Sequence, residues 1–434
     1  MKLTVSRVLH AGYVFESDST KILFDPIFEN PFSQNCFAFP HVHFDLKAIR
    51  RLKFDAVLIS HYHDDHLSFE SLDLFERTTP IYLYSVHEEH FALLCELGFV
   101  NVQALRIDVV FKIGDIEVTP RLALDPETDA VFQIQHGDIK ILNVVDAWIN
   151  PSALEKLAML APWDLVLWPF QTLREIAVLS PETAEDGERS VPPEWIEQLE
   201  RLRPRIVVPS SCQFIHEAWS WYNRAMFPIT YAQFARDVLT RLPGTEVMRM
   251  NPSVSLLITK IEGWDDKTSF EPSVPLPWVL PLGVQDVDYE YDPKFRPDTT
   301  ENIAQQFAAL TPSEKARVTD FCSRELGKKQ TKQFPDGAAA TWRLSVFDHL
   351  GQVIVFTYPH AVDWETEVPI AKLYAALENG EALTSMYLRI KHREFDGLDV
   401  LDDPLVKSLF DGKVASYQRA QLRKLRLGKE PTSL

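Results

Sequence analysis

Cysteine is scarce in this 434-residue sequence, and its few copies are widely spaced, at Cys36, Cys95, Cys212 and Cys322. No Cys-x-x-Cys or Cys-x-His pair occurs, so the sequence indicates neither a disulfide framework nor a zinc ribbon nor a Rieske-type cluster. We therefore expect a protein that folds without covalent cross-links, in a compartment that keeps thiols reduced.

Long apolar runs and excess positive charge are also missing. No stretch approaches the roughly 20 apolar residues that a membrane span needs, and residues 1–5 lack the apolar core of a signal peptide. We expect a cytoplasmic protein with no membrane partner. The formal charge of -18, from 44 basic and 62 acidic side chains, disfavours long-range attraction to nucleic acid, so we expect no nucleic-acid partner either.

Apolar residues, in contrast, are plentiful. They make up 46% of the chain, and 434 residues are enough for two or three domains with their own cores. Proline and aspartate accumulate after residue 262. We therefore predict a larger catalytic domain over residues 1–262, a Pro-rich linker over 263–303 and a smaller α+β domain over 304–434.

The most informative stretch carries three histidines and two aspartates in six residues: His61, His63, Asp64, Asp65 and His66. It follows a continuous apolar run, residues 57–59, which is typical of a strand buried on both faces. Imidazole and carboxylate without thiolate are ligands that suit zinc, iron or manganese. A loop of solvated histidines is the weaker interpretation, because so many unpaired polar groups beside a core strand are costly.

A second acidic position follows a predicted hairpin. Residues 130–135 and 139–145 read as strands joined by a turn at His136-Gly137-Asp138, and Asp146 ends the second strand. A carboxylate at the tip of an apolar strand needs a partner. It either faces the metal site or caps the helix that is predicted to begin near Pro151.

The spacing His-x-His-x-Asp-His resembles the signature of the metallo-β-lactamase superfamily at each fixed position. The resemblance implies an α/β fold, the αββα sandwich, followed here by the smaller C-terminal α+β domain. It implies that His61 and His63 hold a first metal, that Asp65 and His66 hold a second, and that Asp146 bridges the two.

Two positions depart from the superfamily pattern. Residues 124–129 contain no histidine, so Asp125, with Glu127 as the weaker candidate, is predicted to replace the usual ligand and to make the site richer in oxygen. The usual last histidine is replaced by the segment at residues 209–212. His216 could then reach the metal or the substrate, and Cys212 could be a ligand or a small buried residue. His10 could line the site or be a structural histidine.

These departures, together with residues 124–146 and 202–209, resemble the non-Rieske part of the CMP-N-acetylneuraminate hydroxylase family. That family takes electrons through a Rieske centre, and this sequence has no Cys-x-His pair to hold one. The reaction of that family is therefore not carried over to this sequence, and a sugar-nucleotide substrate stays one option.

The function that follows is metal-dependent hydrolysis. Two divalent metal ions, zinc by superfamily and iron or manganese by the oxygen-rich ligand set, would activate water against an ester, lactone, amide or phosphoester, with Asp65 orienting it. The predicted partner is a small-molecule substrate, anionic or similar to a sugar nucleotide. A di-iron oxygenase on the same fold is the first alternative, and a non-catalytic binding module is the second.

Overall fold

Two stacked β-sheets form the main body of the protein. The computed structural model describes residues 1–181, 186–261, 268–292, 294–295, 298–333, 340–391 and 402–428. Within these residues the first sheet contains, in spatial order, Thr268–Pro272, Ser255–Lys260, Lys2–Arg7, Tyr13–Glu16, Lys21–Phe24, Ala56–Ile59, Ile81–Leu83 and Val102–Ala104. The second contains Glu246–Val247, Ile206–Ser210, Leu165–Pro169, Ile139–Asn143, Ala130–His136, Ile116–Leu122 and Phe111–Ile113.

Helices cover the outer faces of both sheets, which completes the predicted αββα sandwich. They span Leu46–Ile49, Phe69–Leu72, Glu88–Leu97, Pro151–Met159, Glu175–Leu179, Pro193–Leu202, Tyr222–Ala225 and Tyr231–Arg241. Consecutive residues of one strand serve different cores: Leu58 packs between the sheets, whereas Val57 and Ile59 pack beneath the helices. Burial on both faces explains why this strand reads as an unbroken apolar run.

Two helix boundaries test the local predictions. The spacing of apolar residues predicts a helix over residues 68–77 with Ser68 as its N-cap. The helix does begin after Ser68, whose side chain accepts from the Ser71 amide, but it ends at Leu72. The helix Pro151–Met159 is capped by Asn150, whose side chain accepts from the Ser152 amide. Asp146 is therefore not the helix cap, and that interpretation is wrong.

The Pro-rich segment contributes strands to the main body. Thr268–Pro272 pairs with Ser255–Lys260 at the edge of the first sheet, and Val279–Pro281 pairs with Val42–Phe44. A further short pair joins Phe37–Ala38 to Phe214–Ile215. The predicted boundary between residues 262 and 263 lies outside the described residues.

The C-terminal part has its own sheet and core. Its described strands lie in the order Val353–His360, Ala340–Phe347, Trp364–Pro369 and Arg389–Lys391. The accompanying helices are Thr300–Ala304, Pro312–Asp320, the π-helix Phe321–Leu326, Gly327–Gln333, Ile370–Asn379, the 3₁₀ turn Thr384–Met386, Pro404–Phe410 and Ser416–Leu427. Trp342, Leu344 and Val346 are buried in a core separate from those of the sandwich, which makes this the smaller α+β unit that the sequence indicates.

The last of these helices, Ser416–Leu427, packs on the sandwich. Its basic side chains meet acidic partners there: Lys424 lies 2.7 Å from Glu70 and Arg426 lies 2.9 Å from Glu96. Ion pairs therefore help to hold the helix Ser416–Leu427 on the sandwich.

Among the described residues, no helix is both long enough and apolar enough to cross a membrane.

Candidate metal centre

Loops from both sheets meet at one edge of the sandwich. The strands Lys2–Arg7, Lys21–Phe24 and Ala56–Ile59 point the same way in the first sheet. Ile139–Asn143, Leu165–Pro169 and Ile206–Ser210 are parallel in the second. The carboxyl ends of these strands lead into the segments that carry the polar residues of the site, His10, Asp25, His61, Asp146 and Ser211.

One cluster of candidate ligands comprises His10, Asp65, His66 and Asp146, whose ligand atoms lie within 4.8 Å of one another. His66 Nε2 is 3.1 Å from Asp146 Oδ2, and His10 Nε2 is 3.2 Å from Asp65 Oδ2. The two Nε2 atoms of His10 and His66 are 3.3 Å apart. Imidazoles and carboxylates converging in this way suit a divalent metal ion.

The second cluster comprises His61, Asp129 and Asp146. His61 Nε2 lies 3.9 Å from an oxygen of each aspartate. Asp146 thus belongs to both clusters. With this shared carboxylate, the residues of each cluster fit a divalent metal ion.

Asp25 orients the buried histidines from behind. Its carboxylate accepts hydrogen bonds from the Ser60 amide at 2.7 Å and the Ser60 hydroxyl at 2.6 Å, and it lies 2.9 Å from His66 Nδ1. The Ser60 oxygen is 2.9 Å from His61 Nδ1. Because the Ser60 hydroxyl donates its one proton to Asp25, its oxygen accepts a hydrogen bond from the Nδ1–H group of His61. Both histidines are then left with Nε2 free to bind a metal.

The carboxylates and histidines shift one another's proton affinities. Despite burial, Asp146 and Asp65 raise the pKa of His66 well above its ordinary value. Burial and His66 lower the pKa of His61 well below its ordinary value. Burial and the charge of Asp146 raise the pKa of Asp129 to about 7. The carboxylates of Asp65 and Asp146 therefore stabilise a positive charge beside them. A bound metal ion would supply such a charge, as a protonated histidine does.

The structure places Asp129, not Asp125, beside His61. Asp125 is exposed, and its carboxylate accepts from the Glu127 amide at 3.2 Å. The hairpin register explains the difference. Phe132 pairs with Asn143 in two antiparallel strands, so Asp129, three residues before Phe132, comes opposite Asp146, three residues after Asn143. The predicted substitution of an acid for the usual histidine therefore points to Asp129, which the sequence did not predict. The turn expected at residues 136–138 would place Asp129 opposite residue 145, whereas the observed pairing of His136 with Ile139 shifts the register by one residue.

The other sequence-predicted residues take different places. His10, predicted to line the site, is 3% exposed and lies within the first ligand cluster. His63 Nδ1 lies 3.0 Å from His61 Nε2, but His63 is exposed and belongs to neither cluster. His216 is buried among Phe214, Tyr222 and Phe227, away from both clusters.

Cys212 lines the pocket at this edge together with His10 and Asp146, but its sulfur is in neither of the ligand clusters found among the described residues. Burial raises the pKa of its thiol well above the ordinary range. Cys212 is thus a small buried residue beside the two clusters.

The backbone around the site is unusual. Five residues with side chains adopt the left-handed conformation here: His10, Asp25, Val145, Ser211 and Cys212, with φ between 41° and 63°. Such conformations are costly and persist where the surroundings enforce them. Arg7 contributes to that enforcement, because its buried guanidinium donates to the carbonyls of Pro209 and His10.

Comparison with known proteins assigns the fold and site to a family. Residues 4–211 match the model of the β-lactamase superfamily domain. A UPF0173 metal-dependent hydrolase of Pyrobaculum islandicum is 32% identical over 208 residues, which cover 46% of this chain and 80% of that protein. The chain therefore belongs to the metallo-β-lactamase superfamily.

Solved structures with a similar fold are more distant. Igni18, a metallo hydrolase from Ignicoccus hospitalis, is 17% identical with a TM-score of 0.42, covering 60% of this chain and 100% of its own. CmlA, a diiron β-hydroxylase from Streptomyces venezuelae, is 18% identical with the same TM-score, covering 59% of this chain and 54% of its own. We draw no conclusion about the reaction from either likeness.

Proposed function

We propose that the protein is a dinuclear metal-dependent hydrolase acting on a small-molecule substrate. The observation that supports this most is the position of Asp146, which lies in both ligand clusters. His10, Asp65 and His66 would hold one ion, and His61 and Asp129 the other, with His63 positioned next to His61. Two divalent ions in such a site would supply a water of lowered pKa and polarise the bond to be cleaved.

The chain's own residues have separate tasks in this proposal. Asp65, at the pocket wall, is placed to orient the attacking water by accepting its hydrogen bond. Asp25 and Ser60 fix the tautomers of His66 and His61, so that each imidazole presents Nε2 to the site. The substrate classes that fit are esters, lactones, amides and phosphoesters.

Oxygen activation by two irons is the second candidate. It is favoured by Asp129, an acid beside His61 where the superfamily usually has a histidine, because harder oxygen ligands shift metal preference from zinc toward iron or manganese. The two candidates share the same residues and differ in the metal.

Elemental analysis with an optical spectrum, on protein expressed without added metal, tests the proposal. We expect two equivalents of metal per chain, falling to one or none in Asp146→Ala. The fully exposed Asp286 supplies a matched control, and Asp286→Ala should keep two. Two zincs without visible absorption support the hydrolase, and two irons with near-ultraviolet bands that bleach on reduction support the oxygenase. Unchanged metal content in Asp146→Ala contradicts both.

A further inference from the structure

The pocket that opens onto the metal centre has a largely apolar wall. It encloses 350 Å³, a volume suited to a small molecule, and is lined by three of the candidate ligands, His10, Asp65 and Asp146. Its apolar wall consists of Trp148, Pro169, Leu173 and Trp195. A substrate whose reacting bond lies at the metals must place its remaining atoms against this wall.

Trp148 is the most accessible group on the wall, with 39% of its surface exposed. Its ring centroid lies 5.0 Å from that of Trp195, which is 3% exposed and in turn packs against Trp168 at 6.2 Å. The backbone of Trp148 is also fixed, because its carbonyl accepts from the Leu124 amide at 2.7 Å. The exposed indole is therefore supported on one side and accessible to a ligand on another.

Gln171, which lines the pocket, and Arg7, which bonds the carbonyl of the lining residue His10, are already engaged. The Gln171 amide donates to the Ile229 carbonyl and its oxygen accepts from the Ile229 amide. Arg7 is fully buried and donates to backbone carbonyls. Among the described residues that line the pocket, none is a lysine or an arginine. Beyond the metals, an anionic group would find no cationic partner here.

We propose that the substrate carries an uncharged aromatic or similarly flat group that stacks on Trp148 while its reacting bond lies at the metal centre. This rests on the proposed function and names its substrate class. The wall favours such a group over the anionic sugar nucleotide considered from the sequence. Stacking on an indole face should favour an aromatic ring over a saturated ring of equal size by about 3- to 10-fold.

Binding of two matched neutral amides to the metal-loaded protein tests the inference. We expect benzamide to bind about 3- to 10-fold more tightly than cyclohexanecarboxamide, measured by ligand-observed NMR titration. Trp148→Ala should abolish that ratio, and Trp148→Phe should keep most of it. Met159→Ala, which removes an exposed side chain on the helix Pro151–Met159, should leave the ratio unchanged. Equal affinities, or a preference that survives Trp148→Ala, would overturn the inference.

Hydrolysis of two lactones separates this inference from the proposed function. Dihydrocoumarin and δ-valerolactone share a six-membered lactone and differ by a fused benzene ring. Trp148→Ala should lower kcat/KM for dihydrocoumarin by about 3- to 10-fold relative to δ-valerolactone. Equal losses for the two lactones would refute the role of Trp148 and leave the hydrolase standing. If the loaded protein keeps its preference for benzamide but cleaves none of the two lactones, 4-nitrophenyl acetate, 4-nitroacetanilide and bis(4-nitrophenyl) phosphate, the hydrolase fails and the aromatic wall stands.

Discussion

At the scale of single residues, the motif and Asp146 were predictable, whereas Asp129 was not. His61 and Asp65 follow from a short spacing, and Asp146 follows from an acid at the end of an apolar strand. His10 was open between two roles, because the backbone of its loop is set by tertiary contacts that no local pattern reports. Asp129 depends on the register of the hairpin, which differs by one residue from the register that the predicted turn implies.

Replacing the two candidate acids one at a time tests this placement. We expect Asp129→Ala to lose one of two metal equivalents, because it removes the oxygen 3.9 Å from His61 Nε2. Asp125→Ala, in the same loop but exposed, should keep both. Metal content per chain is the measurement. Loss of metal in Asp125→Ala with retention in Asp129→Ala would restore the original prediction.

At the scale of elements, buried strands were easier to predict than the segments around them. The run ending at Ile59 and the hairpin at Ala130–His136 have clear apolar patterns, which sheet burial requires. In the C-terminal unit the apolar pattern predicts strands over residues 342–347 and 353–358 but not over Trp364–Pro369, because its glutamates interrupt that pattern. Glu367 is nevertheless buried and accepts hydrogen bonds from Thr300 and Lys391. The helix after Ser68 was predicted too long, because buried Leu74 and Phe75 continue its apolar pattern after the helix has ended.

The helix Ser416–Leu427 holds the metal-binding loop by its backbone. Gln418 is 1% exposed, and its amide donates to the carbonyl of Tyr62 at 2.9 Å and to that of Leu67 at 3.3 Å. These carbonyls stand on either side of His63 and His66. One side chain from the C-terminal unit thus fixes both ends of the short segment that carries Asp65 and His66.

Removing this contact should weaken metal binding. Gln418→Met keeps the length of the side chain and removes the donor, so we expect metal affinity, measured by competition with a chelator, to fall by about 10-fold or more. Lys424→Ala on the same helix, which removes only an exposed ion pair, should not change it. Unaltered affinity in Gln418→Met, with the melting temperature of the metal-free protein also unaltered, would show that the loop holds its shape alone.

At the scale of the whole molecule, the fold class and the C-terminal α+β unit were predictable. The lengths and spacing of the apolar runs indicate which segments form the sheet and helix layers of the fold. The docking of that unit was less accessible to sequence reasoning. It depends on buried amides such as Gln418 and Gln421, whose residue types are common on surfaces. Burial of titratable side chains, in turn, makes the free energy of unfolding depend on pH.

His216 provides a measure of that sensitivity. Burial lowers its pKa to about 3, against about 6.5 in the unfolded chain, so between these values the unfolded state binds more protons. Stability should therefore fall as the pH drops from 6.5 toward 3, with a contribution of up to about 1.4 kcal/mol per pH unit from this residue. Urea unfolding of the metal-free protein at several pH values should show a shallower fall in His216→Gln.

The exposed His43 supplies the control for that series. His43→Gln should follow the parent protein at each pH. If His216→Gln also follows the parent between pH 6 and 4, then other groups account for the acid sensitivity, and His216 has access to water in the folded state.

The contact between Gln418 and the metal-binding loop also bears on how relatives should be compared. Gln418 binds main-chain oxygens, so the identities of residues 62 and 67 do not enter the interaction. A change of side chain at either position would leave these main-chain hydrogen bonds in place. Searches for correlated substitutions between the two parts of the chain would therefore overlook this coupling, and only superposition of coordinates would reveal it.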